Sequence, residues 1–163
     1  MEDLRNQISE LEKTVTDLQV ASANKEFNLT LVDSKQLNTM LTLINKNYTW
    51  NSKNAALTVH VYDTLKLASG ADELLKGKDG IQIPLKATIM TGLYNILLSI
   101  ENTGVESART VVRILTQVGK DVTDAMNTLA EDNKEIQQMH AEIQQLEQKL
   151  IENETSEQIK EEA

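Results

Sequence analysis

IQQMHAEIQQLEQKL, residues 136–150, sets Ile136, Met139, Ile143, Leu146 and Leu150 at spacings of 3, 4, 3 and 4. On a helix with 3.6 residues per turn, that alternation draws one apolar seam. A seam of this kind is stable only when another helix covers it. The chain start carries a second ladder: Leu4, Ile8, Leu11, Val15 and Leu18 follow each other at 4, 3, 4 and 3. These ten residues are the expected oligomer or partner interface.

Between the ladders the sequence also reads as helical. There is one proline, there are six glycines, and aromatic residues are only 3% of the chain. The core must therefore be built from Leu, Ile, Val and Met. Asp33 and Ser34 are good N-cap residues for a helix over 35–47 with Leu37, Met40, Leu41 and Ile44 on one face. A second helix over 53–69 is predicted to turn Ala56, Val59, Tyr62, Leu65 and Leu67 inward. Pro84 suits the first position of a third helix over 84–100, apolar nearly all round and so expected at the centre of a bundle. Thr103-Gly-Val-Glu106 matches a capping box that opens the last helix. The segments Phe27–Val32 and Ile81–Ile83 read as extended.

An offset of 52 residues superimposes part of the chain on itself. Leu37, Thr39, Leu41 and Ile44 meet Ile89, Thr91, Leu93 and Ile96, and Ala56, Thr58 and Val59 meet Ala108, Thr110 and Val111. Each copy reads as extended segment, helix, loop, helix. The expected fold class is all-α: a duplicated αα-hairpin core, like a four-helix bundle, flanked by N- and C-terminal coiled-coil helices. The expected organisation is an N-terminal coiled-coil helix over 1–26 and a core over 27–130 with repeats at about 29–69 and 81–118. A coiled-coil stalk over 131–154 and an acidic flexible tail over 155–163 follow.

Charge sharpens this division. The net charge is −9. Residues 1–26 carry six acids and three bases, residues 131–163 ten acids and three bases, and the middle nine acids and ten bases. The acidity lies in the arms. An acidic surface repels phosphate, so direct nucleic-acid binding is not expected. The longest apolar run, Ile89–Ile100, is interrupted by Thr91, Gly92, Asn95 and Ser99, so no membrane association is expected either. Residues 1–20 are charged throughout and do not read as a secretory signal. Without cysteine there is no disulfide and no thiolate chemistry.

No catalytic constellation emerges, and no cofactor or metal is expected. His60 reads as a core or boundary residue, and His140 as a residue flanking the terminal seam. The Gly77–Gly80 stretch lacks the context of a phosphate-binding loop and reads as a turn. Tyr48 and Trp50 fall in a predicted helix–helix loop and form a possible partner-binding loop, since such aromatics are enriched at binding hot spots.

The stretch IQIPLKATIMTGLYNILLSIENTGVESARTVVRIL, residues 81–115, resembles a unit common in small proteins of tailed bacteriophages. There, too, an extended apolar-proline start leads into a helix, a turn and a second helix. The Asn- and Lys-rich style of LTLINKNYTWNSKNAA, residues 41–56, is similar to AT-rich phage coding. The resemblance implies a helical, oligomeric virion or accessory protein located in the virion or the host cytoplasm. It transfers no functional residues.

The expected function is a non-enzymatic homo-oligomeric structural or assembly protein that partners itself and a further protein. The alternative is a binding module that sequesters or inhibits a host macromolecule through its acidic arms or the Tyr48–Trp50 loop. The terminal ladder outlasts the N-terminal one, which favours pairing of stalks between chains over pairing within one chain.

Overall fold

The computed structural model describes residues 1–31, 34–47, 55–70, 76–77, 80–101 and 104–162. The chain is mostly helical. In order it forms α1 (Glu2–Asn24), β1 (Glu26–Leu31), α2 (Ser34–Asn47), α3 (Ala55–Ser69), β2 (Lys76–Gly77), β3 (Gly80–Lys86), α4 (Ala87–Leu98) and α5 (Val105–Glu162). It divides into two compact units. One is Met1–Asn24 with Asn127–Ala163, and the other is Lys25–Met126.

The central unit is not purely helical. A three-stranded antiparallel sheet, ordered β1-β3-β2, lies within it, and this corrects the all-α expectation. β1 and β3 pair along Glu26↔Lys86 through Leu31↔Ile81. Side chains alternate across a sheet, so Leu29 and Leu31 share one face with Ile81, Ile83 and Leu85. All five are buried. Asn28, Thr30, Gln82 and Pro84 take the other face and keep solvent contact. The segments were legible as extended, but their pairing joins residues about fifty positions apart, which no local pattern announces.

Pro84 sits in β3 opposite Asn28, not at a helix start, and α4 begins three residues later at Ala87. Pairs in an antiparallel ladder alternate between bonded and non-bonded. The Thr30 N–H points away from β3, to the Asp121 carboxylate at 2.8 Å. Thr30↔Gln82 is therefore a non-bonded pair, and by the same parity so is Asn28↔Pro84. The missing proline N–H faces away from β1, on the side where β2 reaches only as far as Ile81. Proline is tolerated in a strand at such an edge.

The helices cover the apolar face of the sheet. Leu37, Met40, Leu41 and Ile44 of α2 are buried, as their periodicity predicts. α4 buries Ala87, Ile89, Met90, Gly92, Leu93, Ile96 and Leu97 and is the most enclosed helix. It ends where the Ser99 hydroxyl donates to the Ile96 carbonyl at 2.7 Å. The inward face of α3 matches expectation at Leu65, which is buried, and at Tyr62, which is half-buried, and differs elsewhere: Thr58 and Val61 are buried, while Ala56 is exposed, Val59 51% and Leu67 79% exposed. The apolar residues of α3 fit more than one helical face, and only the packing partner selects among them.

From α5 the central unit takes Val111, Ile114, Val118 and Ala125. Gly119 has a packing reason, since a Cβ there would stand 3.2 Å from the Tyr94 ring. Gly77 and Gly80 face each other as the ends of the β2–β3 hairpin, and Gly80 has a φ of 119°, which only glycine adopts freely.

α5 also runs on without a break through Asp132 and ends only at Glu162, so 155–162 is helical where a flexible tail was expected. The reason is compositional. This segment has neither glycine nor proline and is rich in Glu, Gln and Lys, which favour helix. The Thr155 and Ser156 hydroxyls donate back to the Ile151 and Glu152 carbonyls, both at 2.8 Å.

Candidate functional site

The two terminal ladders meet within one chain. Val15 of α1 packs with Ile136 and Ile143 of α5, and all three are buried. Ile8, Leu11, Leu18 and Met139 close around them, half-buried. The Arg5 guanidinium donates to the Glu154 carboxylate at 2.8 Å. Arg5 with Glu154 and Val15 with Ile143 sum to nearly the same residue number, so the two helices run antiparallel in constant register. The terminal ladder does not outlast its partner, because α1 continues past Leu18 to Asn24. At 23 residues it extends about 34 Å, against about 36 Å for residues 131–154, so it covers the terminal ladder.

A pair of helices cannot enclose its seam on all sides. Leu4, Ile8, Leu11, Leu18, Met139, Leu146 and Leu150 all remain half-buried. The Arg5–Glu154 pair is solvent-exposed and contributes only a few tenths of a kcal/mol. The hydrophobic seam, and not charge, holds this unit together.

One flank of the pair forms a shallow groove lined by Glu12, Val15, Thr16, Gln19, His140, Ile143, Gln144 and Glu147. His140 lies in it as an exposed residue beside the seam, and His60 is also exposed instead of lying at the core boundary. Among the described residues no cluster of three or more His, Asp or Glu could hold a metal ion, and no helix is long and apolar enough to cross a membrane. Tyr48 and Trp50 lie outside the described residues.

The most specific polar contact of the central unit was not anticipated. Asp121 accepts the Thr30 N–H at 2.8 Å and a weaker bond from the Gln117 amide at 3.3 Å. It thereby satisfies a backbone donor on the free edge of the sheet, a group that is costly to leave unpaired. Burial raises the Asp121 carboxyl above its ordinary value. Its bonds from Thr30 and Gln117 oppose the shift, as does Lys120, while Asp124 adds to it. In sequence an aspartate inside a helix looks like any solvated charge, so no signal marked it.

The sign of the linkage follows. A folded-state carboxyl with a raised pKa holds its proton where the unfolded one has lost it. Stability therefore falls as pH rises from the ordinary carboxylate value through the raised one, and is flat above. Asp121→Asn keeps an acceptor oxygen for Thr30 and removes the titration. The difference in denaturant stability between wild type and variant should change across this acidic window and stay constant at neutral pH. Asp121→Ala should instead lose about 1 kcal/mol or more at all pH values, as the edge N–H loses its acceptor.

No family model, characterised protein or solved structure matches this chain.

Proposed function

We propose that this is a non-enzymatic structural or assembly protein that associates with copies of itself through its two-helix arm. The observation that carries the reading is the incomplete seam. Seven of the ten ladder residues remain half-buried along one stretch of paired helix. A second pair laid against the first would bury them, in the manner of a four-helix arrangement of coiled-coil type. The acidic character of the arm keeps such an association soluble and reversible. The likeness of residues 81–115 to tailed-bacteriophage proteins favours a virion component or accessory factor as its setting.

We also read the central unit as a duplicated strand–helix–helix element. Thr30 and Gln82 are 52 residues apart and face each other in the β1–β3 ladder. A shift of 52 carries Ser34–Asn47 onto 86–99, within a residue of α4. The buried Thr58, Val61 and Leu65 recur 53 residues later as Val111, Ile114 and Val118. One added residue before the second helix accounts for the change of offset. This supports a pseudo-twofold core.

Light scattering across a range of concentrations tests the association. Wild type should give a discrete oligomer whose population grows with concentration. Leu11→Gln with Leu146→Gln keeps good helix formers in place and should lower the mass at unchanged helical circular dichroism. A wild-type mass equal to one chain at every concentration would refute the reading.

A further inference from the structure

α5 carries a second apolar stripe, apart from the buried face of its central-unit segment. Val105, Ala108, Val112, Leu115, Gly119, Val122 and Met126 follow each other at 3, 4, 3, 4, 3 and 4. At about 100° per residue they form one line beside the buried Val111, Ile114, Val118 and Ala125. Val105 is 67%, Val112 60% and Met126 40% exposed. Leu115 and Val122 are half-covered by the core, and the Tyr94 ring covers Gly119. A spacing of 3 and 4 is what a helix requires of a surface on which it lies.

The flank supplies the sign of the partner. On its solvent side the stripe is bordered by the exposed Arg109, Arg113 and Lys120, of which Arg109 pairs with Glu106 of its own helix at 3.5 Å. The partner helix should therefore have an apolar line beside carboxylates. The far end of α5 has that composition. Ile151 and Ile159 are 61% and 64% exposed, and Glu147 and Glu152 lie on either side of the face they share. The two isoleucines are eight residues apart, about 12 Å along the helix, and Val105 and Val112 are seven apart, about 10.5 Å.

We propose that the C-terminal end of α5 in one copy docks on the Val105–Met126 stripe of a second copy. The contact is head-to-tail: each chain offers one stripe and one end. A contact of that type builds a closed ring or an open chain, depending on the rotation between copies. The choice of a second copy rests on the self-association proposed above, but it uses different residues from the arm seam, so the two can be separated.

The experiment uses the full-length chain at low salt. Wild type should grow in mass with concentration. Added salt should shorten the growth, since exposed charge pairs are screened. Val105→Asp with Val112→Asp removes the stripe, and Ile151→Asp with Ile159→Asp removes the end. All four positions are exposed, so circular dichroism should remain that of wild type. Each double variant should fall below the wild-type mass, and an equimolar mixture should regain one contact per pair of chains. Seam-to-seam pairing gives no such rescue, because both variants retain an intact seam. Wild-type growth that persists in either variant, or a mixture no heavier than its components, overturns the docking. A wild-type mass that neither pair of substitutions changes overturns it while leaving the arm association standing. Wild-type association that collapses to monomers in both variants supports the docking and removes the arm association.

Discussion

Ile83→Lys should unfold the central unit, while Gln82→Lys should leave it folded. Ile83 is 2% exposed in the middle of β3, in a cluster formed with Leu29, Leu31, Met90 and Leu93. Burying its side chain contributes about 1.5–3 kcal/mol. The lysine forfeits that contribution and must also place an ammonium among aliphatic groups, which costs several kcal/mol more. Domains of this size are stable by about 5–15 kcal/mol in total, so the loss takes most or all of it. Gln82 points to the opposite, solvated face, where a lysine stays in water and the expected change is about 0.5 kcal/mol or less. Denaturant melts of the two variants, followed by far-ultraviolet circular dichroism, check the contrast. Equal tolerance at both positions would contradict the sheet register.

That contrast also shows what local pattern could and could not reveal. The runs around Leu29–Leu31 and Ile81–Ile83 alternate apolar with polar residues, and they read as extended for that reason. Their pairing depends on a partner about fifty residues away. Pro84 misled because its fixed φ suits a helix start and an edge strand alike. α2 was legible because its apolar residues leave a single choice of inner face, and α4 because a helix apolar nearly all round must be enclosed. α3 was not: Val59 and Leu67 are as hydrophobic as Val61 and Leu65, and only contact with the neighbouring helices buries one set. The ladders were plain, yet a seam states only that it needs a partner. Which helix fills it depends on reach, and α1 proved long enough. Asp121 was invisible because its role is defined by Thr30, ninety-one positions away.

The pairing of α1 with α5 yields the second strong expectation. Ile143 is 7% exposed and packs in a cluster that contains only Ile8, Leu11, Val15, Leu18, Ile136 and Met139 beside it. Ile143→Asp sets a carboxylate against these apolar side chains, with Glu12 and Glu147 in the same groove. The cost should be about 3 kcal/mol or more, from lost packing together with the uncompensated charge. A seam with three fully buried residues has little reserve, so α1 should separate from α5 and lose its amide-exchange protection. The buried cluster of the central unit should keep its own, because among the described residues its members run from Phe27 to Ala125. Concentration then distinguishes pairing within a chain from pairing between chains. Val15 and Ile143 meet in one chain, so wild-type protection of residues 2–24 should be the same in dilute and concentrated samples, even as the oligomer population changes. Protection that disappears on dilution would mean that α1 is held by another copy, and the intrachain seam would have to be abandoned.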